Sequence, residues 1–246
     1  MIGPTPYLHG RAELLDATDR HPYALLTSSG GQVTAWRAGD GLVWRAVGPW
    51  GPIIASLGGE AGPVAMLIAQ LDHVGLLDGI RWMHLPRSPR AQLAATLTVL
   101  EQDDWDFLWT ADEPPPHPGE ADVVALTEAD HDEILAVIAD ALPHSTSRPG
   151  DPRIRTWHGI RHGGRLVAVA GDRSVDMIGH ISAIAVASDR QGGGFGAALT
   201  SALTRRLIAE FGMASLGVMS DNDGALRFYR RLGYAGELTR SSIRIS

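Results

Sequence analysis

Apolar residues along the first 110 positions fall into short runs rich in β-branched and aromatic side chains: "QVTAW", "GLVWRAV", "PIIASL", "IRWMHL" and "WDFLWTA". Runs of this length and make-up predict strands. Two longer stretches, "GPVAMLIAQLDHVGLL" and "SPRAQLAATLTVLEQ", alternate with them and predict helices. "AELLDATDR" predicts another helix near the start. The stretch "DEPPPHPGEAD", 112–122, breaks the pattern. Its prolines and glycine fit neither a helix interior nor a central strand, so it reads as a linker.

Beyond it the alternation resumes. "DVVAL" predicts a strand, and "EADHDEILAVIADAL" a helix with Ile134, Leu135, Ile138 and Leu142 on one face. The stretch 143–153, "PHSTSRPGDPR", is loop-rich by its prolines. "TWHGIRHGGRLVAVAGDRS" predicts a hairpin turned at Gly163-Gly164, and "MIGHISAIAVAS" a further strand. "FGAALTSALTRRLIAEFG" predicts a helix with Phe195, Leu199, Leu203 and Leu207 on one stripe. The strand "SLGVMS", the helix "DGALRFYRRLG" and a closing strand pair, "YAGEL" and "RSSIRIS", follow. The expected fold class is α/β with a mixed sheet. The expected divisions are a first domain over 1–115, a proline-rich linker over 116–121 and a second domain over 122–246.

Composition narrows the chemistry. Cysteine is absent, which removes disulfides, thiolate metal sites and a cysteine nucleophile. Lysine is absent as well, so no Schiff-base lysine and no Walker A phosphate loop can form. Residues 1–120 carry seven arginines against fourteen acids, while residues 121–246 carry fourteen of each. An acidic first half argues against a nucleic-acid partner and is compatible with a cationic or amine-bearing one, although a solubilising surface explains it more simply. No apolar run reaches the roughly 18 residues of a membrane span, and the start lacks the basic-then-apolar pattern of a signal peptide. The expectation is a cytoplasmic protein with no membrane partner. Six of the seven tryptophans lie before the linker; they could line a binding cleft, but such aromatics more often are core or strand-pairing residues.

The densest glycine cluster, "RQGGGFGAAL" over 190–199, stands between a predicted strand and a predicted helix. A helix start leaves backbone N–H groups without internal partners, and glycines clear the space in front of them, so the segment suits a phosphate. Gly192-Gly193-Gly194-Phe195-Gly196-Ala197 also satisfies the dinucleotide fingerprint G-x-G-x-x-A, but too few residues follow Asp221 to complete that fold.

Gln191-Gly192-Gly193-Gly194-Phe195-Gly196 further matches Q/R-x-x-G-x-G/A, and the stretch from Asn222 through Ala225 and Tyr229 to Gly233-Tyr234 fits N-x-x-A-x-x-x-Y-x-x-x-G-F/Y. On these two motifs residues 121–246 resemble the GCN5-related N-acetyltransferases (GNATs). The resemblance implies a GNAT fold in the second half and acyl transfer from acetyl-CoA to an amine, with no metal. It implies that Gln191, Gly192, Gly193, Gly194, Phe195, Gly196 and Ala197 hold the pyrophosphate. It also implies that Ile184, Ala185 and Val186 bond the pantetheine arm, and that Asn222 and Tyr229 border the cofactor. Tyr229 stands where the family keeps the acid that protonates the leaving thiolate, though its helical spacing also fits a half-buried core residue. Asn222 could equally cap its helix. His180 stands where many members carry a glutamate base; a neutral imidazole could serve, or could simply bond within the sheet. Asp176, Glu237, His158 and His162 are the other base candidates. His158 and His162 lie about 13 Å apart along a strand, too far to share a metal.

The first half repeats a similar element order and looks like a degenerate GNAT-type half. "SLGGEAGPVAM" has glycines without the loop pattern, so no coenzyme A is expected there; it would wall the acceptor site or form a homodimer surface. The acceptor is expected to be a small-molecule or peptide amine. The alternatives are a non-catalytic acyl-CoA sensor, and an aminoacyl transferase of tandem domains, against which the acidic first half and intact loop both speak.

Overall fold

The computed structural model describes residues 3–245. Along the chain run β1 (Leu8–His9), α1 (Arg11–Ala17), α2 (Pro22–Thr27), β2 (Gly30–Ala38), β3 (Gly41–Gly48), β4 (Gly51–Leu57), α3 (Ala61–His73), β5 (Trp82–Pro86), α4 (Arg90–Ala94) and β6 (Val99–Thr110). After a 3-10 helix at Pro118–Asp122 come β7 (Val123–Leu126), α5 (His131–Ala141), β8 (Thr156–His162), β9 (Arg165–Asp172), β10 (Gly179–Val186), α6 (Phe195–Phe211), β11 (Ala214–Met219), α7 (Asp223–Arg231) and β12 (Gly236–Ile245).

The chain groups into two compact units. One holds the chain up to Phe107 together with Val218–Asp223 and the stretch from Glu237; the other holds Leu108–Gly217 and Gly224–Gly236. The division read from the sequence is a single cut near 116–121. The last strand, β12, from Glu237 on, lies with the first unit.

In the first unit the strand order is β1-β2-β3-β4-β5-β12-β6. β2, β3 and β4 form an antiparallel meander, and β4 pairs in parallel with β5 from Ile53↔Trp82 to Ala55↔His84. α3 buries Val64, Ala65, Ile68 and Leu71 against Val43, Ile54, Met83, Leu85 and Ile243. Helix α2 is too short to show a period. It starts because Pro22 supplies a preset φ and the His21 imidazole accepts the Tyr23 N–H at 3.1 Å. Trp36, Trp44 and Trp105 are buried, and Tyr23 packs edge-on to Trp44 at 6.2 Å, so these aromatics are core.

Two sequence expectations fail here. The helix read over "SPRAQLAATLTVLEQ" is one turn, α4, and the chain is already in β6 by Val99. Thr96, Thr98 and Val99 are β-branched and favour the extended state over a second turn. The expected closing strand pair is one strand, β12, because nothing between Leu238 and Ser241 supplies the glycine or asparagine of a tight turn.

In the second unit the order is β11-β10-β9-β8-β7. β7 to β10 are antiparallel, and β10 pairs in parallel with β11 from Gly179↔Ala214 to Ile181↔Leu216. The β8–β9 hairpin turns at Gly163 and Gly164, both at positive φ, as a primed turn requires. α5 buries Ile134, Val137 and Ile138 against Trp157, Leu166 and Val169. The expected face is rotated by this packing, and Leu135 and Leu142 are exposed. α6 buries Leu199, Leu203 and Leu207 as its stripe predicts. Each unit therefore repeats one plan: a three-strand meander, a helix, then a strand parallel to the meander's last.

Candidate active site

The loop between β10 and α6 descends through a 3-10 turn, Ser188–Arg190, to Gln191. Gly192 stands at φ +78° and Gly194 at φ +82°, the left-handed region that side chains avoid. Gly194 is the N-cap of α6, and no side chain bonds the helix start. The first helical bond runs from the Ala198 N–H to the Gly194 carbonyl at 3.0 Å. The N–H groups of the three preceding residues thus have no acceptor in the helix and carry its positive end. They open on a cleft of ≈ 360 Å³ lined by the loop, Val186, Phe228 and Arg231. Arg190, on the same lining, lies 3.6 Å from Asp189, which Arg165 also holds at 2.7 Å.

β10 supplies the second wall. Its pairs with β11 stop at Ile181↔Leu216, while its pairs with β9 shift register between Ser182 and Ala185. Ala183 sits at φ +50° inside that bulge. The bulge turns the strand away from β11 and leaves its last residues paired on one side only. The Ala187 N–H bonds the Val167 carbonyl at 2.8 Å, so by alternation the polar groups of Val186 face away from β9. The Gln191 amide donates to that Val186 carbonyl at 3.3 Å. Val186 alone of the last three β10 residues lines the cleft with the glycine run, while Ala185 is buried in the core beside it.

α7 contributes Phe228 and Arg231 to the lining; Tyr229, on the same turn, faces inward. Its ring lies edge-on to Phe228 at 5.0 Å and to Tyr234 at 5.9 Å, and the Tyr234 hydroxyl meets Thr204 Oγ1 at 2.7 Å. Burial pushes the Tyr229 phenol well above its ordinary pKa, so it keeps its proton at neutral pH. Asn222 lies in the turn before α7, its N–H on the Met219 carbonyl at 3.0 Å. Phe228 and Arg231, which flank Tyr229 within the motif, were not expected from the sequence to line the cleft.

The base expected at His180 meets a physical objection. The side chain is 2% exposed and lies in the paired part of β10. The Ser215 hydroxyl donates to the Gly179 carbonyl at 2.8 Å, so it accepts from His180 Nδ1 at 3.0 Å. Burial, and then the Arg173 charge, push the imidazole pKa down to about 3. A group with that proton affinity does not take a proton from an ammonium at neutral pH. His158 fares no better: Arg206 donates to its Nε2 at 3.0 Å, and burial lowers its pKa. His162 is exposed and rests against Phe195 at 5.5 Å. Asp176 stands at φ +44°, and Glu237 is exposed within the first unit. No group of three or more metal-ligating side chains occurs among the described residues.

The matching place in the first unit is built differently. β4 and β5 also part after three pairs, but only Gly58–Glu60 separate β4 from α3. The Arg240 guanidinium, 1% exposed, donates there from Nη2 to Ser56 O at 2.8 Å, Ser56 Oγ at 2.6 Å and His84 O at 2.9 Å. Its carbon lies 5.1 Å over the Tyr23 ring.

Residues 123–234 match the model of the Acetyltransferase (GNAT) family. Among solved structures, a GNAT-family protein from Novosphingobium aromaticivorans is 23% identical, over 92% of this chain and 93% of its own, with a TM-score of 0.56. A GCN5-related N-acetyltransferase from Kribbella flavida is 18% identical, over 96% and 95%, at 0.55. A GCN5-related N-acetyltransferase-like protein from Streptococcus suis is 13% identical, over 96% and 100%, at 0.55. At these identities the likeness is one of fold, and it extends over both units. No curated protein matches the chain.

Proposed function

We propose that residues 123–234, which match the GNAT acetyltransferase family model, move an acetyl group from acetyl-CoA to the amine of a small molecule or peptide, by direct transfer in a ternary complex. The observation that carries the reading is the uncapped start of α6 behind Gly192 and Gly194, facing a cleft beside the one-sided end of β10. The N–H groups of Gly194 to Ala197, with Gln191, Gly192 and Gly193 shaping the turn, suit a pyrophosphate. The outward N–H of Val186, whose C=O already accepts from Gln191, suits an amide arm added as a strand along Ile184, Ala185 and Val186. Asn222 is assigned to the cofactor by its place in the motif.

The amine nitrogen attacks the thioester carbon, the C–N bond forms, and the C–S bond breaks. The thiolate takes its proton from Tyr229, which burial keeps protonated. No protein base is assigned, given His180's pKa; the amine reacts from its free-base fraction, its proton passes to solvent, and the Tyr229 phenolate regains a proton from solvent before the next turnover. The chain has no cysteine to carry the acetyl group, in keeping with direct transfer. The first unit is assigned no coenzyme A, since Arg240 fills the gap between β4 and β5.

The lack of an assigned base favours one second reading, an acyl-CoA sensor without turnover. Calorimetry with acetyl-CoA, followed by thiol-release assays over a panel of amines, separates the two. Binding with release supports the enzyme and binding without release the sensor. No binding of acetyl-CoA at millimolar concentration overturns both. Gly194→Glu places a carboxylate and a strained φ in the cradle, so its acetyl-CoA binding should be lost while its circular dichroism stays unchanged.

A further inference from the structure

The proline-rich stretch before β7 lies on α6. Arg205 of α6 holds Glu113, donates to the Pro114 carbonyl at 3.0 Å and reaches Glu120 at 3.2 Å. A Cβ at Gly119 would stand 3.0 Å from that of Ala198, so only glycine allows the segment to lie this close. The segment is therefore a strap along the first turns of the helix.

His117 is its partly buried histidine. Its backbone N–H donates to Glu120 Oε1 at 2.7 Å, and its Nδ1 accepts the Gly119 N–H at 3.2 Å. A ring nitrogen that accepts carries no proton, so the ring's proton stands on Nε2. That Nε2 lies 3.4 Å from where a Cβ on Gly194 would be, and it has no hydrogen-bond partner among the described residues. A free N–H donor thus stands beside the N-cap of the helix whose start forms the cradle. It comes from outside the family-matched segment 123–234.

We propose that His117 donates its Nε2–H to a phosphate of the cofactor and positions it, supplementing the backbone donors of the loop. This rests on the coenzyme A reading above. It also gives Gly194 a second constraint, since a side chain extending beyond Cβ there would meet the imidazole.

His117→Asn separates the two jobs of the residue. Asparagine can still cap the Gly119 N–H, as an N-cap residue does, but is too short to reach Gly194. His117→Ala removes both. The measurements are calorimetric affinity for coenzyme A and thiol-release kinetics with S-acetyl-pantetheine, which lacks the phosphates. The expected result is an affinity for coenzyme A about tenfold weaker in both variants, as for a lost hydrogen bond to a charged group. The rate with S-acetyl-pantetheine should be unchanged. Wild-type affinity for coenzyme A in His117→Asn overturns the proposal, as does an equal loss with both substrates, which would mark a purely structural role. Wild-type protein that binds no coenzyme A overturns the cofactor reading itself.

Discussion

Three glycines on one helix allow a clean separation of strain from binding. Gly192 and Gly194 lie at the start of α6 at φ +78° and +82°, and Gly212 closes it at φ +79°. A Cβ at Gly192 or Gly212 would meet nothing within 4 Å, so alanine there adds only the left-handed penalty, about 1–2 kcal/mol. At Gly194 the new Cβ would also come into van der Waals contact with His117 Nε2, at 3.4 Å. In a chain of this size 1 kcal/mol shifts Tm by about 2–4 °C. Each alanine variant should therefore melt roughly 2–8 °C below wild type in differential scanning fluorimetry. Affinity should divide them differently. Alanine at 192 or 194 moves backbone donors from a pyrophosphate, at a cost of about 1.5–3 kcal/mol per charge-assisted bond, or roughly tenfold or more in Kd by calorimetry with acetyl-CoA. Gly212→Ala lies at the far end of the helix and should bind as wild type. Gly212→Ala binding as weakly as Gly194→Ala would refute the reasoning, because the loss would then follow stability and not the cradle.

Tyr229→Phe should lower kcat about a hundredfold while leaving the acetyl-CoA Kd within twofold; an equal kcat would remove Tyr229 as the acid. With no assigned base and an alkyl amine of pKa near 10.4, log kcat/KM should rise with a slope near one from pH 6 to pH 9. A plateau beginning near pH 6.5 would restore an imidazole base. His84 and His180 both have pKa values lowered to about 3, chiefly by burial, one in each unit. Between pH 6.5 and 3 the unfolded chain binds protons that the folded chain does not. Stability should therefore fall as pH drops through that window, by about 1 kcal/mol per pH unit for each histidine. Equal melting temperatures at pH 7.5 and pH 5 would contradict this. Calorimetry should count one coenzyme A per chain, and a count of two would show that Arg240 does not close the first unit.

What could be read in the sequence divides by the range of the forces involved. The glycine loop, the primed turn at Gly163-Gly164 and the α6 stripe of Leu199, Leu203 and Leu207 are local, since backbone permissiveness and helical period act within a few residues. They survive into the structure with their residues in place. The failures are where packing at long range decides. α5 turned its buried face from Leu135 and Leu142 to Val137, because the sheet beneath selects the stripe. His180 carried a plausible base by position, and its burial, with the nearby Arg173 charge, lowers its basicity. His117 and Arg240 left no signal at all. One sits in a proline run whose composition speaks for a linker, and the other reads as an ordinary strand arginine. Arg240 bonds Ser56 and His84, more than 150 positions away in sequence, and His117 comes within reach of Gly194 only because Arg205 clamps the strap. A motif records where a ligand touches backbone. Side chains that close or extend such a site arrive from anywhere in the chain, and only the folded arrangement brings them to it.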